Sequence, residues 1–224
     1  MKKYLLIISC CFLFLILQVS YANQYHMQSG DILFQDLDCG ILCNAIDTVT
    51  RGYDNTEINH VAMIIKATND PKTTLIIEAN NQVAIISLQD FLARSLDENS
   101  KPRVMVARLK KQYQYLIPMA IINMQTWLGK PYNKSFTENN NFNSFYCSQL
   151  LYDAFLLANK YPFFNLHNMN FKKNGKFVVA WQEYFNKLKI KIPQGELGSN
   201  PGMMSRSNKL EIIYFYGKLR HIKL

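Results

Sequence analysis

Apolar residues in this chain change their spacing along its length. Up to Leu109 they gather mostly in short runs bounded by turn-forming residues; from Tyr115 onward they recur mainly three and four positions apart. Asp31-Ile32-Leu33-Phe34, following Gly30, predicts a short strand. Gly40 to Arg51, apolar at 41, 42, 45, 46 and 49, predicts an amphipathic helix that ends near Gly52. Asn59-His60 opens a buried strand through Lys66, and Thr74 to Glu78 and Val83 to Ile86 read as two more. Asn80-Asn81 is the turn that makes the last two a hairpin. Ser87, with Asp90 three residues on, caps a helix running to Leu96, and Val104 to Leu109 is another strand.

The helical period then takes over. Tyr115 to Leu128 carries Pro118 in its first turn and Gly129 as its stop. Apolar positions 147, 150, 151, 154, 155 and 158 predict a helix that begins at Cys147. Phe177 to Leu188 is a third long helix, and Glu211 to Tyr216 a late strand. Trp127 and Trp181 fall on the apolar stripes and read as core. The Asn-rich run 138–143 is a loop that delivers the chain to Cys147. Clustered strands among helices predict an α+β fold: an antiparallel sheet of about five or six strands packed against helices.

The amino terminus changes the compartment. Lys2 and Lys3, an apolar run from Tyr4 to Leu17, and Ser20-Tyr21-Ala22 predict a signal peptide cleaved after Ala22. A lipoprotein site at Cys10 would leave too short an apolar core, and nothing later resembles a membrane span. Residues 23–224 then form one domain, exported to the periplasm or beyond. Loss of Lys2 and Lys3 takes the net charge from +9 to +7. That charge suits an anionic envelope polymer or peripheral contact with a membrane surface, or is simply a solvated basic face. No motif supports nucleic-acid binding. The sequence calls for no metal and no organic cofactor.

Of the five cysteines, Cys10 and Cys11 leave with the signal. Cys39 and Cys43 form a disulfide or are buried on one helix face; a bridge at that spacing needs a bent backbone. Neither has the second close ligand pair a zinc site requires. Cys147 is the thiol left for chemistry. On the first turn of a helix it meets unpaired N–H groups and the positive dipole end, which favour a thiolate. His60, at a strand end, is the candidate base. A small buried cysteine packed at a helix start is the alternative. His26, His167 and His221 lie in an extension, a loop and a basic tail, without a comparable context.

Several segments, in order, resemble the YiiX-like family of permuted papain-like (NlpC-type) thiol hydrolases. Gly30-Asp31-Ile32-Leu33-Phe34-Gln35 is similar to its opening strand, and Asn59-His60-Val61-Ala62 to its histidine strand. Gly129-Lys130-Pro131-Tyr132-Asn133 and Tyr146-Cys147-Ser148-Gln149-Leu150 are similar to two further motifs. Asn59, Ala62, Asn133 and Gln149 depart from the family pattern, where a small residue, Gly, Asp and Glu are usual; the thiol and imidazole remain. The resemblance implies a circularly permuted papain-like fold with Cys147 as nucleophile and His60 as base. It implies that Glu78, in Ile77-Glu78-Ala79, orients the imidazole. A solvent-facing acid at a strand end is the plainer reading of Glu78.

The Cys147 backbone N–H is an expected oxyanion donor. Tyr132 and Tyr146 are candidates for a hydroxyl donor, or are core. Asp31 is a candidate for lining the cleft, or serves the turn. The expected function is hydrolysis of an amide or other acyl bond through an acyl-enzyme. The substrate is an envelope molecule, a peptidoglycan peptide being preferred to an acyl lipid. A lipid-directed acyl hydrolase or acyltransferase, and a non-catalytic envelope binding module, are the alternatives.

Overall fold

The computed structural model describes residues 25–137 and 141–221. The expected signal peptide, residues 1–22, and with it Cys10, lies outside the described residues. The chain begins with β1 (Ile32–Gln35) and α1 (Ile41–Val49), followed by β2 (His60–Lys66) and the hairpin β3 (Leu75–Ala79) and β4 (Val83–Ser87). Helix α2 (Leu88–Leu92) leads into β5 (Val104–Leu109), then α3 (Ile117–Thr126) and α4 (Cys147–Asn159). Two-residue strands β6 (His167–Asn168), β7 (Lys172–Lys173) and β8 (Lys176–Phe177) precede α5 (Val179–Leu188). Finally come β9 (Leu197–Gly198), α6 (Pro201–Ser205) and β10 (Leu210–Phe215).

Six strands form one antiparallel sheet in the order β10-β5-β1-β2-β3-β4. Phe34, Met63, Ile77 and Met105 point from one face into α3 and α4, where Met124, Leu150 and Phe155 receive them. Leu33, Ile64, Ile76 and Val106 point the other way, beneath Phe91 of α2. With both faces covered, alternation is lost, and the strands read as unbroken apolar runs. A third, aromatic cluster of Phe136, Tyr146, Phe171, Trp181 and Phe185 joins α1 to α5. Trp181 Nε1 donates to the Ala45 carbonyl at 3.1 Å and fixes that contact. The fold is α+β, with helices on an antiparallel sheet.

Several boundaries differ from the sequence expectation. Helix α2 has its Ser87 cap, which accepts from Asp90 N at 3.1 Å, but ends at Leu92 rather than Leu96. Arg94, just beyond, turns back to the sheet. The helix expected from Tyr115 starts as a 3-10 turn, Lys111–Leu116, and becomes α-helical at Ile117, with Pro118 in its first turn. The ribbons β6–β9 and β7–β8 and the short α6 are too brief to carry a period. Cys39 and Cys43 are disulfide-bonded, with Cα atoms 5.3 Å apart. Gly40, at φ 71°, turns Cys39 off the helix so that the two can meet. Among the described residues no helix is long and apolar enough to cross a membrane.

Candidate active site

Strand register does the first part of the assembly. Gln35 lies opposite His60 in the β1–β2 pair, and Met63 opposite Ile77 in the β2–β3 pair. His60 and Glu78 therefore sit at the same end of adjacent strands. His60 Nε2 and Glu78 Oε2 are 2.7 Å apart, both side chains buried. The buried Phe91 ring lies 5.9 Å from the imidazole.

Helix α4 does the second part. Cys147, its first residue, is buried and hydrogen-bonded to the His60 side chain. Because Nε2 is engaged by Glu78, Nδ1 is the nitrogen left for the thiol. Three groups distant in sequence thus form one chain, Cys147–His60–Glu78.

A fourth group, which the sequence did not indicate, extends it. Arg94 grips Glu78 with both arms of its guanidinium, Nη1 to Oε2 at 2.8 Å and Nη2 to Oε1 at 2.7 Å. The only sequence signal was an arginine near the end of a short helix. Burial alone would raise the Glu78 carboxyl, yet hydrogen bonds and charge from His60 and Arg94 outweigh it and hold the group at about 2. Burial would likewise lower the His60 pKa; the Cys147 and Glu78 hydrogen bonds and charges win and raise it to about 9.

The remaining candidates separate. The Tyr132 hydroxyl oxygen accepts the backbone N–H of Cys147. Burial first, and then the neighbouring Cys147 charge, push its pKa well above 10, so it stays a neutral O–H. Tyr146 is buried at the helix start, and its hydroxyl accepts from the Ser199 N–H at 3.0 Å. That tyrosine ties α4 to the carboxy-terminal segment. Asp31 is not brought here: it stands at the opposite end of β1 from Gln35, some 13 Å away at the usual rise per residue. It is buried and paired with Arg108, Nε to Oδ1 at 2.6 Å, and accepts the Tyr25 hydroxyl at 2.7 Å. The plainer turn-side reading of Asp31 fits this placement. His26 and His221 are exposed and His167 lies in the β6–β9 ribbon; none joins the cluster.

Beside the thiol opens a cavity of about 70 Å³. Its walls are mainly apolar, with Ile46, Val49, Phe136, Phe171 and Trp181 prominent, and Tyr132 and Cys147 at the reactive end. Residues 26–214 match the family of permuted papain-like amidase enzymes, YaeF/YiiX, C92. The chain belongs to this C92 family. Among solved structures it is similar to that of YiiX from Escherichia coli O157:H7, described as a metalloprotein. The likeness has a TM-score of 0.64 at 21% identity and covers 85% of this chain and 98% of that one. Comparison with curated protein sequences gives no match.

A C92 member is a papain-like cysteine amidase, and this one retains both thiol and imidazole. A metal fits its residues poorly. Among the described residues no group of three or more His, Cys, Asp or Glu side chains is placed to hold an ion, and the one carboxylate beside His60 is already neutralised by Arg94. Asn133 and Gln149, two of the departures from the family pattern, touch each other: Asn133 Nδ2 donates to Gln149 Oε1 at 3.0 Å. Both are buried and uncharged, so the first turn of α4 carries no carboxylate pair.

Proposed function

We propose that this chain is an envelope amidase that forms an acyl-enzyme on Cys147 and accepts an apolar acyl group. The single observation that carries the reading is the hydrogen-bonded chain Cys147–His60–Glu78 beside a predominantly apolar cavity. Cys147 passes its proton to His60 and its sulfur attacks the scissile carbonyl carbon. The carbonyl oxygen becomes an oxyanion that accepts the Cys147 N–H, in place of the Tyr132 oxygen that takes it at rest, together with the Tyr132 O–H. His60 returns the proton to the leaving nitrogen as the C–N bond breaks, which leaves a thioester on Cys147. Water, deprotonated by His60, then attacks the thioester carbonyl; the acid departs and the thiol recovers its proton. Glu78, held ionised, stabilises the imidazolium through each transfer.

The cavity lining bears on the substrate. Stem peptides of a cell wall present carboxylates and amines near the scissile bond, and this mainly apolar pocket, with no charged residue in its lining, would desolvate them without a counter-ion. An acyl chain or a large apolar side chain suits it. Of the two envelope substrates considered, the wall peptide and the acyl lipid, the second is therefore preferred, in the form of an apolar acyl amide. Residues 1–22, read as a signal peptide, support work outside the cytoplasm.

Intact-mass analysis after brief mixing with amides of graded acyl length, alongside wall stem peptides, tests the reading. The expected result is a thioester adduct on Cys147 that lengthens with the acyl chain, and no adduct in Cys147→Ala of unchanged thermal stability. Adducts from stem peptides alone would return the assignment to the wall. An absence of any adduct would remove the apolar-acyl proposal.

A further inference from the structure

Helices α3 and α4 cover the sheet side by side, and their outer face is unlike the rest of the surface. Helix α3 contains no charged residue at all. Its exposed positions include Met119 and Ile122, and Tyr115 in the turn before it is 71% exposed. On α4 the outward side is Leu157, and Tyr161 just beyond is 74% exposed. The helices run antiparallel: Trp127, at the end of α3, stacks on Phe145, before α4, at 4.6 Å, and Asn123 Nδ2 reaches the Ala154 carbonyl at 3.0 Å. The start of α3 and the end of α4 are therefore neighbours. Tyr115, Met119, Leu157 and Tyr161 lie together at that end.

The charge around this patch has one sign. Lys110 and Lys111 precede α3, and Lys160 caps α4 next to Tyr161. Between Glu98 and Glu138 the sequence contains no acidic residue, while seven positions are Lys or Arg. The acid of α4, Asp153, is buried. Glu211 on β10 lies opposite Arg108, whose side chain turns to Asp31 on the far face of the sheet. Two tyrosines, a methionine and aliphatic side chains ringed by lysines have the chemistry of an interfacial membrane contact. The rings and methyl groups enter the headgroup region while the ammonium groups meet lipid phosphates.

We propose that this end of α3 and α4 docks the protein on an anionic lipid bilayer. A second copy of the chain is a poorer occupant, because a symmetric contact would set the lysine rim against itself. The patch sits about 20 Å from Cys147, one helix length along α4. Binding there and chemistry at the thiol are separable, and this proposal does not rest on the catalytic one.

Co-sedimentation of the exported protein with vesicles tests it. Vesicles of phosphatidylcholine mixed with phosphatidylglycerol are compared with phosphatidylcholine alone. Binding to the mixed vesicles is expected, weakening as salt rises, with far less on the neutral ones. Replacing Lys110, Lys111 and Lys160 by Glu should weaken it at least about a hundredfold, since each lysine near an anionic leaflet contributes about fivefold. The variant Tyr115→Ser/Met119→Ser/Tyr161→Ser should also bind at least about tenfold more weakly, as buried apolar area is lost. Both should unfold at the wild-type temperature. Equal binding to the two vesicle types would overturn the proposal, as would wild-type binding by the lysine variant. A dimer that depends on Tyr115 and Tyr161 and ignores vesicles would assign the face to a second copy instead.

Discussion

Glu78 is held from two sides, by an imidazole and by a guanidinium, and the two holds act differently. His60 offers one polar contact and, in the proposed mechanism, changes charge; Arg94 offers two and keeps its charge. Arg94 is thus a positioning residue that keeps the carboxylate ionised and aimed. In Arg94→Met the carboxyl loses a fork worth one or two charge-assisted hydrogen bonds, so kcat/KM at neutral pH should fall about tenfold to a hundredfold. The pH profile separates this from simple loss of stability. With Arg94 gone the Glu78 pKa rises from about 2, and the acid limb should move to higher pH. The basic limb, set by His60 at about 9, should stay. Arg94→Lys restores charge without the fork and should recover part of the rate. If the melting temperature drops while both limbs stand still, Arg94 only braces the fold. Cys147 and His60 were legible from the sequence because each stands at the first position of a strongly apolar element. Arg94 was not, because a lone arginine after a short helix reads as solvated until strand register brings Glu78 beneath it. The hydroxyls of Tyr132 and Tyr146 were equally suggestive in sequence, and only their partners, the Cys147 N–H and Ser199, tell them apart.

Strand β2 enters the sheet through a side-chain clasp with α1. Asn59, the residue before His60, accepts the Leu37 N–H at 2.9 Å and donates to the Leu37 carbonyl at 3.0 Å. Its amide also donates to both Asp47 carboxylate oxygens, at 3.2 and 3.0 Å. Burial, opposed by the Asn59 hydrogen bond and aided by Glu57 and Asp36, raises the Asp47 carboxyl to about 7. A carboxyl raised in the fold favours the native state while protonated. Its contribution is whole below the usual 3.8 and is lost as pH climbs through about 7. Asp47→Asn keeps an oxygen for Asn59 and has no charge to bury. The variant should melt near the wild-type temperature at pH 4 and several degrees above it at pH 8, the gap being on the order of 3 kcal/mol. Thermal unfolding at the two pH values checks this; a gap that does not grow with pH would mean the clasp holds a charged Asp47 without penalty. At this scale the sequence was most readable. The hairpin, the Ser87 cap of α2, the start of α4 at Cys147 and β5 all follow from period and punctuation. The clasp does not, since an asparagine before a strand and an aspartate on a helix carry no mutual signal.

The carboxy-terminal segment completes the molecule by returning to its beginning. β10 pairs with β5 at the sheet edge, Arg220 forms an ion pair with Asp36 and another with Glu57, and Ser199 holds Tyr146 at the head of α4. Helix α6 then presses so closely on the chain after α1 that a Cβ on Gly202 would stand 2.8 Å from the Arg51 carbonyl oxygen. Backbone on both sides leaves no flexible atom to yield. Asn200 and Pro201, next to this contact, line the cavity beside Cys147, so its shape depends on how closely the two ends of the chain meet. Gly202→Ala should therefore cost about 1–3 kcal/mol of stability through overpacking. It should also lower kcat/KM toward long acyl amides more than toward short ones, because the displaced α6 moves a wall of the pocket. Gly175 is the control. Its φ is +77° with nothing within 4 Å of the added carbon, so Gly175→Ala should cost about 1 kcal/mol from backbone alone and leave chain-length preference untouched. Thermal melts and a chain-length series on both variants decide the matter. Equal selectivity in the two would mean the cavity is framed by α1 and the aromatic cluster without help from the carboxy-terminal segment.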